Sequence, residues 1–142
     1  MDMILICRDA LENSVVGNVA MALEAKKAGQ DVAILFTEEA LAALAGQSFS
    51  WSPLFQNRDA RIKISRNATA MGVEIANEKD NRWTDISRLL TSASRAGIKL
   101  IACPIWSQIL AVDGNLPPQL TSIDSAALLK ELAEAKIIIG GF

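Results

Sequence analysis

The chain opens on an uninterrupted apolar run, Met3-Ile4-Leu5-Ile6, of the length of a strand covered on both faces, and this predicts a central β-strand. Beyond Asn13 or Ser14 as a cap, Val15, Val16, Val19, Ala20 and Leu23 recur at helical spacing until Gly29, which predicts a first helix with a glycine stop. The run Asp31 to Phe36 repeats the buried-strand pattern, and Thr37 precedes a short helix, Glu38 to Ala45, with acids in its first turn. Residues 46–57 (GQSFSWSPLFQN) hold neither period and predict a loop carrying Phe49, Trp51 and Phe55. Asn57 can cap a helix running to Met71, and Val73 to Ala76 then offers a short strand after Gly72. Polar residues 77–81 predict a turn, Thr84 a cap, and Ile86, Leu89, Leu90 and Ala93 the inner face of a helix ended by Gly97. Ile98 to Ala102 reads as another buried strand. Cys103-Pro104 ends it, and because proline suits the first helical position, Ile105 to Val112 reads as a short helix. An extended connector with Pro117-Pro118, a helix capped by Asp124 or Ser125, and a last apolar strand, Lys136 to Gly140, complete the chain.

Strand and helix thus alternate five times. This predicts a three-layer α/β/α sandwich around a mainly parallel five-stranded sheet, flavodoxin-like in layout, as a single domain over residues 1–142. A chain of this length can bury about 70% of its unfolded surface and needs no staples to hold a core.

Composition narrows the chemistry. There are two cysteines and no histidine, so a Ser-His-Asp or Cys-His pair is excluded, as is any imidazole ligand. Cys7 and Cys103 lie far apart in sequence with no CxxC and no carboxylate-rich loop, so no metal and no cofactor is expected. The formal charge of -2 is spread along the chain; Lys26, Lys27, Arg58, Arg61, Lys63 and Arg66 are interleaved with acids and read as solvated helix faces, and no nucleic-acid partner is expected. The longest apolar stretch, Leu100 to Val112, is broken by Pro104, Ser107 and Gln108 and falls short of the ~18 residues of a membrane span. With no basic leader at Met1-Asp2, the expectation is a cytoplasmic protein with free thiols rather than a disulfide.

In open parallel sheets, ligands collect at the carboxyl ends of the strands. The segments there are Cys7-Arg8-Asp9, Thr37-Glu38, Asn77-Glu78 and Cys103-Pro104-Ile105-Trp106. Cys103 is the sharper candidate: at the cap of a helix beginning with Pro104, its sulfur would sit near backbone N–H groups, which favour a thiolate without histidine. The bland alternative is a buried cysteine acting as a small hydrophobe after Leu100-Ile101-Ala102. Cys7 has the weaker claim, with Arg8 as its candidate cation. Trp106 is a wall of the thiol pocket or ordinary packing, packing being slightly favoured. For Phe49, Trp51 and Phe55 an interface contact is the first choice over a lid or local anchoring. Phosphate-loop patterns are absent, and Leu100 stands where a peroxidatic TxxC motif would carry threonine.

The N-terminal strand, GQDVAILF, SRAGIKLIACP before the short helix, and the closing LLKELAEAKIIIGGF together resemble the DsrE-like sulfur-relay family (the DsrE, DsrF and TusD type) over residues 1–45 and 93–142. The resemblance implies a parallel α/β sandwich, a homo-oligomer, and a sulfur carrier or sulfurtransferase that takes a sulfane sulfur as a persulfide on Cys103 and hands it to a partner protein, with protein donor and acceptor. Pro104, Ile105 and Trp106, with Cys7 and Arg8, would form the pocket. The aromatic loop and helix at about 46–71 look like an enlargement relative to such subunits, and Pro104-Ile105-Trp106 makes a bulkier entrance. The rival expectation is a non-catalytic oligomeric scaffold with an inert Cys103; a small-ligand or nucleotide pocket at the strand ends is a third.

Overall fold

A computed structural model describes residues 1–46, 48–75 and 84–141. The expected strand-end pair Asn77-Glu78, the turn at 77–81, Trp83 and Phe142 lie outside the described residues. The apolar runs form β1 (Met3–Cys7), β2 (Val32–Phe36), β3 (Lys99–Ala102) and β5 (Ile137–Gly140), with a two-residue β4 (Thr121–Ser122). The helices are α1 (Glu12–Lys27), α2 (Glu38–Gly46), α3 (Arg58–Ala70), α4 (Ile86–Arg95), α5 (Pro104–Leu110) and α6 (Ser125–Glu134). The strands pair in the order β4-β3-β2-β1-β5, every pair parallel.

This order explains how the helices are shared between the two faces. The steps β1 to β2, β2 to β3 and β3 to β4 run in one direction across the sheet, and only the step from β4 to β5 runs back. Right-handed crossovers put connections of opposite direction on opposite faces. Accordingly, Leu5, Ile34, Phe36 and Leu100 pack under α1, α2 and α4 through Val15, Val19, Leu41, Leu89 and Leu90, with Ala68 of α3 added. The other face, with Ile4, Ala33, Leu35 and Ile101, is covered by α6 through Leu128 and Leu132. Fully burying side chains of this size is worth ~1.5–3 kcal/mol each, so the larger cluster dominates stability.

Several expectations change. Val73 and Ile75 are buried at 2% and 1% exposure, yet no described residue of 73–75 is in a strand. Their backbone is tied locally instead: Val73 N–H donates to the Ala68 carbonyl and Asp85 N–H to the Ile75 carbonyl, both at 2.8 Å. The sheet position beside β3 belongs to Thr121–Ser122, which are exposed and polar and were expected only as connector. β5, expected as a buried apolar strand, is a sheet edge, and Ile137 on one face and Ile138 on the other are both nearly half exposed. α1 begins earlier than expected, at Glu12, with no side-chain cap because its N-cap residue is the apolar Leu11; Asn13 lies inside the helix, and its Oδ1 accepts from Ser52 N–H at 2.9 Å to hold the loop. Asp85, not Thr84, caps α4 by accepting from Arg88 N–H at 3.0 Å. Asn57 and Asp124 cap α3 and α6 as expected.

The start of the aromatic loop is anchored to α1. Glu12 N–H donates to the Ser50 carbonyl and Ser50 N–H to the Ala10 carbonyl, stitching the loop to the start of α1. Trp51 is 5% exposed and meets Phe55 edge to face at 6.5 Å, and Phe49 packs on the large cluster, so Trp51 and Phe49 anchor the loop locally, while Phe55 and Leu54 stay exposed at 37% and 82%.

Candidate functional site

β3 hands the chain to α5 at Cys103, the N-cap residue of that helix, with Pro104 at its first position. Cys103 N–H donates to the Phe36 carbonyl at 3.0 Å, continuing the ladder by one step, and its carbonyl accepts from Ser107 N–H at 2.9 Å. The residue is therefore held on both sides by backbone. No side chain caps α5, so the first-turn N–H groups of Ile105 and Trp106 face this end of the helix without a side-chain acceptor. Cys103 is 6% exposed and belongs to the apolar cluster of Ile4, Leu35, Ile101 and Leu128 under α6. Pro104 is buried, Ile105 is half exposed, and Trp106 is partly buried against both clusters as packing; of the three, Pro104 alone lines the cleft described next.

A cleft of about 540 Å3 lies against the same corner, lined by Ala102, Pro104, Ser107, Gln108 and Asp113 and, from the start of α6, Asp124 and Ser125. Hydroxyls, an amide and two carboxylates make its lining polar and acidic; Ala102 and Pro104 on either side of Cys103 line it, and Cys103 does not.

Cys7 does not join this site. It pairs with Phe36, which pairs with Ala102, so Cys7 shares a face with Ala102, and Cys103, one residue on, turns to the other face. Cys7 lies in the cluster under α1 and Cys103 in the one under α6. β1 and β3 are separated by β2, and two strand spacings of ~4.8 Å exceed the ~7 Å Cα limit for a disulfide. Both thiols are free.

Arg8 also departs from its expected role. Its guanidinium Nε donates to Glu38 Oε2 at 2.9 Å across the β1 and β2 ends. Burial first, then the Asp9 carboxylate, push the Cys7 thiol up to about 12 against a hydrogen bond from the Asp9 backbone. Buried, protonated Cys7 behaves as core. Among the described residues, no group of three or more histidine, cysteine, aspartate or glutamate side chains could hold a metal ion, and no helix is long and apolar enough to cross a membrane.

One residue was missed at the sequence level. Glu12 opens α1 and lines two clefts, one of about 560 Å3 and one of about 210 Å3. Burial pushes its carboxyl up to about 7, with Arg61 pulling the other way. Its position in the loop after β1 was the available signal, four residues past Arg8.

No family profile matches the sequence, and no curated protein matches it. Solved structures do share the fold. A conserved protein of unknown function, BT1422, from Bacteroides thetaiotaomicron superposes with a TM-score of 0.58 at 14% identity, over 98% of this chain and 93% of that one. The ychN protein from E. coli superposes with a TM-score of 0.57 at 11% identity, over 99% of each chain. The chain is thus an α/β protein with a parallel five-stranded sheet of a kind already seen in bacteria.

Proposed function

We propose that this chain is a single-thiol sulfur carrier of the DsrE-like type, working on Cys103. The observation that carries the reading is the placement of Cys103 at the junction of β3 and α5, at the carboxyl edge of the sheet, between two residues that line a polar cleft. The resemblance of RAGIKLIACP to the persulfide segment of sulfur-relay proteins supports it. In the transfer, the Cys103 thiolate attacks the outer sulfur of a donor persulfide R-S-SH. The donor S–S bond breaks, a new one forms at Cys103, and the electron pair leaves as R-S⁻, giving Cys103-S-SH with no net oxidation. The first-turn amides of α5 then supply donors to the persulfide anion. Handing the outer sulfur to an acceptor thiolate repeats the exchange. Donor and acceptor are proteins in this reading, the setting is a reducing cytoplasm, and the chain works as a homo-oligomer.

A second reading rests on the surroundings of the thiol. Cys103 is 6% exposed within an apolar cluster, while Ile105, Ile109, Leu129 and Ile138 expose apolar surface on α5, α6 and β5. These features suit an oligomeric scaffold whose cysteine is inert core. Alkylation of the native protein by iodoacetamide separates the two. The carrier reading expects Cys103 to react at least about tenfold faster than Cys7. Equal rates that appear only on unfolding overturn it in favour of the scaffold.

A further inference from the structure

The larger cleft beside Glu12, about 560 Å3, lies on the α1 and α4 face of the sheet, opposite the Cys103 cluster. Its walls combine three features. Leu44, Phe49, Leu90 and Leu116 make one side apolar. Glu12 and Asp85 both line it, and among the described residues neither lysine nor arginine does. Asp85 is spent capping α4, whereas the Glu12 carboxyl accepts no hydrogen bond among the described residues.

The third feature is an excess of acceptors. Gln119 Nε2 donates to Thr91 Oγ1 at 3.0 Å and to the carbonyl and hydroxyl of Ser87 at 3.3 Å. The Ser87 carbonyl can only accept, which fixes the amide orientation and leaves Gln119 Oε1 as the unused acceptor. Gln119 Oε1 and Thr84 Oγ1 are both buried in this wall without a partner, and a ligand that meets them relieves a buried polar group left unpaired. With an apolar side, a carboxyl, a spare amide acceptor and no cation among its described lining residues, the pocket suits a donor-bearing, positively charged ligand better than an anion.

We propose that this cleft binds a small organic amine, its ammonium group on the Glu12 carboxylate and its aliphatic or aromatic body against Phe49, Leu90 and Leu116. The site stands apart from the sulfur-carrier reading and does not need it. Binding draws Glu12 into its ionised form. Among the described residues, the other charged groups facing Glu12 are Asp85 at the start of α4 and Arg61 on α3, which lines the smaller cleft along with Glu12 and Phe49. With Glu12 near 7, its ionised fraction grows about tenfold between pH 6 and pH 8, and amine affinity rises with it.

The test is calorimetric titration of the full chain with benzylamine, cationic across this range, against phenylacetate and benzyl alcohol as the anionic and neutral probes of the same body. Benzylamine is expected to bind, more tightly at pH 8 than at pH 6 by about tenfold, and Glu12→Gln to weaken it by about tenfold and flatten the pH dependence. Leu116→Trp, which fills the cleft and leaves Glu12 in place, is expected to abolish binding; thermal unfolding of each variant at pH 5 establishes that it is folded. Absence of benzylamine binding at millimolar concentration overturns the proposal. So does equal binding of phenylacetate or benzyl alcohol, or unchanged benzylamine affinity in a folded Glu12→Gln variant.

Discussion

Cys7 and Cys103 stand at the same end of the sheet, two strands apart, and face opposite sides of it. One register step separates a thiol sealed under α1 from a thiol at the mouth of α5. The two are therefore chemically independent, and any sulfur chemistry belongs to one cysteine.

Oxidation checks this independence. Treatment of the native protein with a mild disulfide-forming oxidant is expected to give no internal Cys7–Cys103 bridge, because the native strand separation forbids it. Peptide mapping under non-reducing conditions reads the outcome. A bridged species formed without unfolding contradicts the register.

Glu12 sets a pH dependence of stability. Its folded value of about 7 lies above its ordinary 4.5, so between these values the folded chain keeps a proton that the unfolded chain has released. Stability therefore falls as pH rises through that window. Denaturant unfolding at pH 4 and pH 8 is expected to show the decline in the wild type and a flatter profile in Glu12→Gln. The variant is expected to be the more stable of the two at pH 8, and a steeper decline in the variant contradicts the assignment.

Cys7 adds a second window at alkaline pH. The unfolded thiol ionises near 9.0 and the buried one near 12, so the contribution of Cys7 is lost as pH rises above 9.0. Cys7→Ala removes that loss at the expense of a small cavity. Unfolding midpoints between pH 8 and pH 10.5 are expected to fall faster in the wild type than in Cys7→Ala.

The helix caps supply a check on the fold itself. Asn57 Oδ1 accepts from Ala60 N–H at 2.8 Å and Asp124 Oδ1 from Ala127 N–H at 2.7 Å. Replacing either by alanine is expected to cost ~1 kcal/mol, while Phe36→Ala in the fully buried strand β2 is expected to cost ~3–5 kcal/mol. Chemical denaturation orders the three. A Phe36→Ala cost no larger than that of a cap variant contradicts its place at the centre of the core.

The sequence was most legible where burial and hydrogen bonding agree. Met3 to Cys7, Val32 to Phe36 and Lys99 to Ala102 are apolar because interior parallel strands are covered on both faces, and each was readable as such. The pattern misled at Val73 and Ile75, which are apolar because they are buried, not because they pair. It was silent at Thr121–Ser122, where two exposed polar residues form a strand only because β3 offers an edge. Cys103 was legible as a strand-to-helix junction because Pro104 marks the boundary. Glu12 was not, since its burial depends on residues 48–52 folding back onto the start of α1, a contact between segments about 39 residues apart that no local pattern encodes.

The sulfur-carrier account is tested most directly by the intact mass of the native protein after incubation with a low-molecular-weight persulfide donor. The account predicts a gain of one sulfur atom, reversed by a reducing thiol, mapped to the Cys103 peptide and absent from Cys103→Ala. A wild-type mass that stays unchanged, or a Cys103→Ala variant that still gains the sulfur, contradicts it.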